Sequence, residues 1–464
     1  MNDDQIIEAP DVDSGEDAYS LGRKAVARIL YAVDRNDRDK LVALMDPLHP
    51  ADIADLLEQV NAFDRMRLIK LYDKEFDGDI LSELDESIRE DVIRSLSPQV
   101  LADAVRDLNS DDVVDLLEDL DQPQQDAILD ALEDSDRVAV QKSLTYPEYS
   151  AGRLMQREVV MAPEHWNVGE AIDYLRNSDD LPDQFYHIVL VDPRLRPLGN
   201  VTLGKLMGSR REVMLQSLVE DTFHVIPVTQ YEGDVAYAFN QYHLISAPVV
   251  DENDRLVGVI TIDDAMAVLD EEHEEDVLRL AGVDSESSLS DRVVDTTKRR
   301  FPWLFVNLIT AILASLVIAQ FEDAIATIVA LAVLMPIVAS MGGNAGTQSL
   351  TVAVRALATK DLTRSNVWRV IRREVLVGLI NGLAFALIMG AVGYLWFGSI
   401  ALGGVIATAM VINLVVAGLA GTGIPIVLEK LGIDPALASG AFVTTVTDVV
   451  GFFAFLGLAV VVLL

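Results

Sequence analysis

Apolar residues follow three different rhythms along this chain. From about Leu21 to Leu144, leucines recur at helical spacing between acidic positions, which predicts short amphipathic helices. The string DIADLLE at Asp52–Glu58 returns as DVVDLLE at Asp112–Glu118, with GDILSEL at Gly78–Leu84 between them. A repeat of about 30 residues predicts paired short helices stacked as a solenoid. From about Tyr149 the pattern changes to β-rich runs. FYHIVLVDPRLRPLGNVTLGKLM, Phe185–Met207, is echoed by HLISAPVVDENDRLVGVITIDDAM, His243–Met266, and each reads strand, turn, strand, helix. Beyond Arg300 the chain is almost continuously apolar.

A hydrocarbon layer of about 30 Å needs about 20 apolar residues per crossing, and five segments qualify. They run Phe301–Gln320, Ala324–Val354, Val375 to the aromatic cluster Tyr394, Trp396 and Phe397, Ala401–Leu428, and Pro435–Leu464. No charge falls between Val375 and Leu428, so the break between the third and fourth spans is read from the aromatic belt and Gly398-Ser399. Lys298, Arg299 and Arg300 precede the first span, and Arg355, Lys360, Arg364, Arg369, Arg372 and Arg373 follow the second. Basic loops mark the cytoplasmic side, which places the N-terminus inside and, after five crossings, Leu464 outside a cell (inner) membrane. The first residues, MNDDQIIEAPDVDSGED, hold no basic stretch followed by an apolar one, so no secretory signal is expected.

Charge divides the chain at the same place. The formal net charge is −37, and all of it lies before residue 301, because residues 301–464 carry seven acids and seven bases. Such a surface lacks the Lys/Arg stripe that nucleic acid requires and favours cations. The absence of cysteine excludes disulfides, thiolate zinc sites and cysteine nucleophiles. All six histidines precede Arg300, so the membrane half offers neither imidazole nor thiolate. Oxygen ligands alone suit magnesium, calcium or manganese.

An ionisable group within a span costs about 2.5–3.5 kcal/mol and is a functional candidate by default. Asp448 is such a group, in GAFVTTVTDVVGFFAF, with hydroxyls of Thr444, Thr445 and Thr447 nearby and Gly440 and Gly451 permitting close helix approach. It reads as a cation ligand in a pore; the alternative is a carboxyl kept neutral against a neighbouring helix. In the second span, GGNAGTQS at Gly342–Ser349 follows Pro336, a combination that can bend a helix and free carbonyls. Gly342, Gly343 and Asn344 are its pore-lining candidates; a polar packing seam is the alternative. One carboxylate per chain is meagre for a dication, so a symmetric homodimer is expected, with two Asp448 side chains at its axis. Between the soluble and membrane halves, six of the seven residues Asp270–Asp276 are acidic, a density that counter-cations relieve.

The two strand–turn–strand–helix units resemble a pair of CBS modules. The second keeps the Thr261-x-x-Asp264 pattern whose aspartate holds an adenosine ribose in that family; the first has Thr202-Leu-Gly-Lys205, which counts against ATP binding. Gly199–Lys205 spells GxxxxGK, yet Leu206 stands where a phosphate loop has Ser or Thr. The order of acidic helical domain, CBS pair, acidic helix and five spans, with GGNAGTQS, LGIDPAL and VTDVVGFFAF, closely resembles the MgtE magnesium channels. The resemblance implies a multidomain membrane protein: a 1–20 disordered acidic tail, a 21–146 helical-repeat domain, CBS modules at 147–210 and 211–268, a 269–300 connecting helix and a 301–464 pore domain. It implies a homodimer conducting Mg2+ past Asp448, with the backbone of Thr444 and Gly440 nearby. It places closing sites for cytosolic Mg2+ at Glu272, Glu275 and Asp276, with Asp434 as their membrane-side partner. Asp264, Asp111 and Asp115 match positions that bridge the helical and CBS domains through Mg2+. A carrier coupled to sodium or protons is the alternative, and an enzymatic role is not expected, since one intramembrane acid falls short of what phosphate chemistry needs.

Overall fold

The computed structural model describes residues 21–106, 108–118, 120–178, 181–182, 184–283, 293–363 and 365–464. The acidic tail expected at 1–20 lies outside them, as does 284–292 of the connecting segment. Residues up to Asp270 form one compact unit, and those from Glu271 onward form another.

In the first unit the helical period becomes ten short α-helices among the described residues, from Arg23–Asp34 to Asp134–Ser143. Capping sets their starts. His49 and Asp52 form a capping box ahead of Pro50, and Asp121 and Gln124 do the same for Gln122–Ala131. The repeated strings lie on helices Pro50–Gln59 and Ser110–Glu118, and their leucine pairs are the core: Leu56, Leu57 and Leu117 are fully buried and Leu116 nearly so. Each such burial is worth about 1.5–3 kcal/mol, and the two copies differ only where Ile53-Ala54 becomes Val113-Val114, an apolar exchange that keeps the same face buried.

The β-rich region folds as two three-stranded sheets. In the first, β1 (Met161–Pro163) runs parallel to β2 (His187–Val191), which pairs antiparallel with β3 (Pro197–Thr202). In the second, β4 (Ile226–Pro227), β5 (Ser246–Val250) and β6 (Leu256–Thr261) repeat the order. His187 and Ser246 open equivalent strands, and the imidazole Nδ1 meets the Ser246 hydroxyl at 2.6 Å.

In the second unit, five helices are long and apolar enough to cross a membrane. The helices are Val293–Ala319, Ala330–Ala358, Val367–Phe397, Ile400–Lys430 and Pro435–Leu463, called the first to fifth spans below. Two boundaries differ from expectation. The second span starts at Ala330 because a separate short helix, Glu322–Thr327, precedes it, with the polar Glu322-Asp323 pair in its first turn. The connecting helix ends at Leu280, where Gly282 takes a left-handed φ of +72°, and a new helix starts at Val293. The fourth span is the hub, with half of its apolar window buried against 6% for the first span, which packs on the fifth.

Small residues make this packing possible, since lipid gives helices no hydrophobic reason to associate. Gly378 and Gly382 of the third span lie on the backbone of Leu414 and Val411, and Gly390 and Gly393 face Gly403. A Cβ at Gly421 would stand 2.5 Å from the Gly346 carbonyl oxygen and 2.8 Å from the Ser349 Cβ. Neither neighbour is a flexible side-chain end. Gly421→Val is therefore expected to destabilise the membrane half by about 1–3 kcal/mol, read as a lower aggregation midpoint of detergent-solubilised protein. An unchanged midpoint would contradict this packing.

Candidate functional site

The fifth span begins at a side-chain cap, where Asp434 Oδ1 accepts from the Ala436 amide at 2.7 Å ahead of Pro435. Gly440, Thr444 and Asp448 follow at four-residue intervals and share one stripe of the helix. Thr444 is exposed on it and Asp448 partly so. Among the described residues the Asp448 carboxylate has no hydrogen-bonding or ion-pairing partner. Thr444 donates to Gly440 O at 2.9 Å and Thr445 to Ala441 O at 2.6 Å, so each hydroxyl hydrogen is used within the helix while the oxygen keeps its acceptor capacity. Thr447 differs: it is fully buried and packs with Val443 on Gly346, so it belongs to helix packing.

The second span runs as one continuous helix through Pro336 and the glycine pair, with no break in the helix at the glycines. The glycines serve close approach instead. Gly342 lies under Asn413 of the fourth span and Gly346 under Val443. Gly342 therefore lines no open path within the protomer, whereas Asn344 is exposed and a Cβ on Gly343 would meet nothing within 4 Å. Asn413 is wholly buried, donates to Val338 O at 2.8 Å and, among the described residues, leaves its own Oδ1 without a partner. Ser349, at the end of GGNAGTQS, donates to Glu374 of the third span at 3.0 Å.

Four acids and one base meet where the connecting helix reaches the fifth span. Arg279 donates to Asp434 Oδ2 at 2.8 Å and pairs with Glu275 at 2.7 Å. Asp276 is pushed up to about 6 by burial and by the neighbouring Asp434 and Glu272 carboxylates. Of the acids named from the resemblance, Glu275 and Asp434 thus come together around a guanidinium, and Glu272 and Asp276 stand against them in charge.

A second acidic focus lies between the helical repeats and the second sheet. Asp111 is buried, and burial and the nearby Asp264 push its carboxyl well up. Asp264 accepts from the Thr261 hydroxyl at 2.6 Å, shares a hydrogen bond with Asp111, and is raised to about 6 chiefly by burial. Asp112, next in the chain, is raised to about 7 by burial and by Asp264, Asp115, Asp79 and Asp263. Asp115 itself turns to Arg89 at 2.8 Å. Among the described residues no three Asp, Glu or His side chains converge closely enough to hold a metal ion. The carboxylates fit a hard cation by charge and donor type, but no cage is preformed.

The GxxxxGK string is not a phosphate cradle. Gly199 lies in β3 under Val219, and Lys205 Nζ sits 3.6 Å from Glu220. Sequence reasoning passed over three residues that matter here. Arg279 was visible as the lone Lys or Arg of the connecting helix, four residues after Glu275. Asp112 opens the repeated string, and Asn413 is an amide in a charge-free span.

Three kinds of known protein resemble this chain. Family models for the MgtE divalent cation transporter match residues 335–458, for the MgtE intracellular N domain residues 48–149, and for CBS domains residues 151–212 and 211–271. The magnesium transporter MgtE of Bacillus subtilis is 32% identical over 70% of this chain and 72% of its own. That of Enterococcus faecalis is 34% identical over 69% and 70%. Among solved structures, the cytosolic domain of the Mg2+ channel MgtE in complex with ATP matches 52% of this chain and 99% of its own at 26% identity and a TM-score of 0.49. The soluble part of a magnesium transporter covers 54% and 98% at 24% identity and 0.47.

The raised carboxyls carry a pH signature. The folded state binds protons that the unfolded chain, with aspartates near 3.8, has released, so their stabilising contribution is full below about 4 and lost as pH rises through about 6 to 7. In magnesium-free buffer the thermal midpoint of the soluble half, followed by circular dichroism of the whole protein, is expected to fall from pH 5 to pH 8 by at least about 2–4 °C, the shift that 1 kcal/mol gives. Asp112→Asn should flatten that slope; a midpoint that rises over this range would refute the assignment.

Proposed function

The chain belongs to the MgtE family of magnesium transporters, and on that premise we propose that it is a magnesium channel, a homodimer whose two Asp448 carboxylates guide Mg2+ through the membrane. Membership of this family makes it a multi-pass membrane protein and a transporter rather than an enzyme. The observation that carries the channel reading is Asp448: the one acid within the fifth span, partly exposed, on a stripe with Thr444 and Gly440, and without a protein partner among the described residues. Its charge in an apolar helix is retained at a cost of about 2.5–3.5 kcal/mol, which an ion pathway explains. Two such carboxylates balance one dication, and magnesium gives up its inner waters reluctantly, so neutral oxygens such as those of Thr444 and Asn344 suit a mostly hydrated ion.

Regulation follows from the acids outside the membrane. Cytosolic Mg2+, when bound, supplies the counter-charge that a region of net −37 lacks. Glu272, Glu275, Asp276 and Asp434 would hold it at the connecting helix, and Asp111, Asp264 and Asp112 at the second focus, with Asp115 held by Arg89 at its margin. Without it, like charges at these places repel and loosen the hold of the connecting helix on the fifth span. A site filled to several times its dissociation constant contributes about 1 kcal/mol, so on the order of five sites supply the roughly 5.5 kcal/mol that a near-complete switch needs. An inside-negative potential adds about 4.6 kcal/mol per 100 mV for a dication, so uptake needs no pump motif. The basic collars at 298–300 and 355–373 support a cytoplasmic soluble half and a fifth span ending on the far side. At the CBS pair, Asp264 is engaged by Thr261 and Asp111 and Lys205 by Glu220, which counts against nucleotide binding there.

Asp448→Ala is expected to reduce magnesium influx into proteoliposomes at least about 100-fold, while the protein stays folded and monodisperse. Asp448→Glu should retain a measurable share. Wild-type flux in the alanine variant would end the pore assignment.

A further inference from the structure

Asp434 directs both carboxylate oxygens to the chain itself. Oδ1 caps the fifth span at Ala436, and Oδ2 takes the Arg279 guanidinium at 2.8 Å. The same guanidinium holds Glu275 at 2.7 Å, and all three side chains are about one quarter exposed. A forked, planar cation suits two carboxylates at once, which an ammonium does not. Beside it, Leu280 packs with Leu350, Val354, Ala436 and Val443, and the Leu280 carbonyl comes within 3.9 Å of where a Gly440 Cβ would stand. The end of the connecting helix is therefore anchored twice, once by charge and once by an apolar contact, on the first two turns of the span that carries Asp448.

We infer that Arg279 is a built-in cation of the gate, a positioning residue that holds the connecting helix on the fifth span before any magnesium binds. The inference deepens the proposed regulation and rests on it: magnesium completes a neutralisation that Arg279 begins, acting chiefly at Asp276, which burial and the Asp434 and Glu272 carboxylates still hold raised despite Arg279. Counting Glu272, Glu275, Asp276 and Asp434 against Arg279, the cluster is left at −3. The guanidinium thus sets how much magnesium closure requires without being its sensor. It also follows that a magnesium-free protein is partly closed, with the latch made and broken at rest.

The chain has no cysteine, so a single Ala436→Cys in the full-length protein reports the latch, because Ala436 is almost fully buried beside Leu280. In magnesium-free buffer, adding Arg279→Gln is expected to raise the rate of thiol labelling about two- to five-fold, the range of a partly exposed ion pair. Arg279→Lys should fall between, and saturating magnesium should slow all three alike. In proteoliposomes Arg279→Gln should shift the magnesium concentration for half-closure upward by a similar factor and raise the flux at low magnesium. Equal labelling of the wild-type and Arg279→Gln backgrounds, or equal labelling of the Gln and Lys variants, would overturn the latch. Wild-type flux indifferent to magnesium would instead defeat the regulatory reading, and the labelling would still decide whether the latch exists.

Discussion

An ionised carboxylate in hydrocarbon has no water to solvate it, and the membrane half is organised around that constraint at Asp448. The rest of the fifth span is uncharged, and one flank of the helix beside Asp448 is devoted to packing: Val443 and Thr447 press on Gly346, and Gly451 lies under Asn413. The fourth span collects these contacts because it is rich in glycine and alanine and half buried. The stripe of Gly440, Thr444 and Asp448 is thereby held on a fixed helix, with Thr444 exposed and Asp448 partly so. A first span packed mainly on the fifth leaves an apolar flank, Phe301, Leu304, Phe305 and Leu308, to lipid or to a second copy.

Outside the membrane the same electrostatics act with opposite purpose. Inside, a single charge is kept where its desolvation is costly; outside, charges are crowded until folding itself feels them. Asp112 and Asp264 are raised to about 7 and about 6 because burial and neighbouring carboxylates both oppose ionisation. On the proposed regulation, such groups accept a cation in place of a proton. The two foci solve the problem differently. At the connecting helix the chain supplies its own guanidinium, whereas at Asp111 and Asp264 neutral donors, the Thr261 hydroxyl and the Asp112 amide among them, temper the repulsion.

Much of this was legible in residue order. The leucine pairs of DIADLLE and DVVDLLE announced the repeat core, and the two echoing segments of Phe185–Met207 and His243–Met266 announced the sheets, because periodicity reports burial directly. The spans were legible for the same reason, apart from the helix Glu322–Thr327, whose two acids fall in the gap between the first two expected spans. Pairing between distant side chains was not legible. GGNAGTQS has the composition of a broken helix, and only the facing Asn413 and Val443 show that its glycines are contact points. Arg279 reads as one more solvated charge until Asp434, 155 positions later, is found opposite it. Asp115 looked equivalent to Asp111, and the difference is Arg89, which neutralises one and not the other.

The central claim is that a magnesium-conducting path lined by Asp448 is closed by magnesium acting on the acidic soluble half. Recording currents from the purified protein in planar bilayers, with sodium and proton gradients clamped to zero and magnesium titrated on the face bearing the soluble half, tests it most directly. The account predicts a magnesium current driven by voltage and gradient alone that falls steeply as magnesium rises on that face. A current that needs a sodium or proton gradient, or one that ignores magnesium on that face, would contradict it.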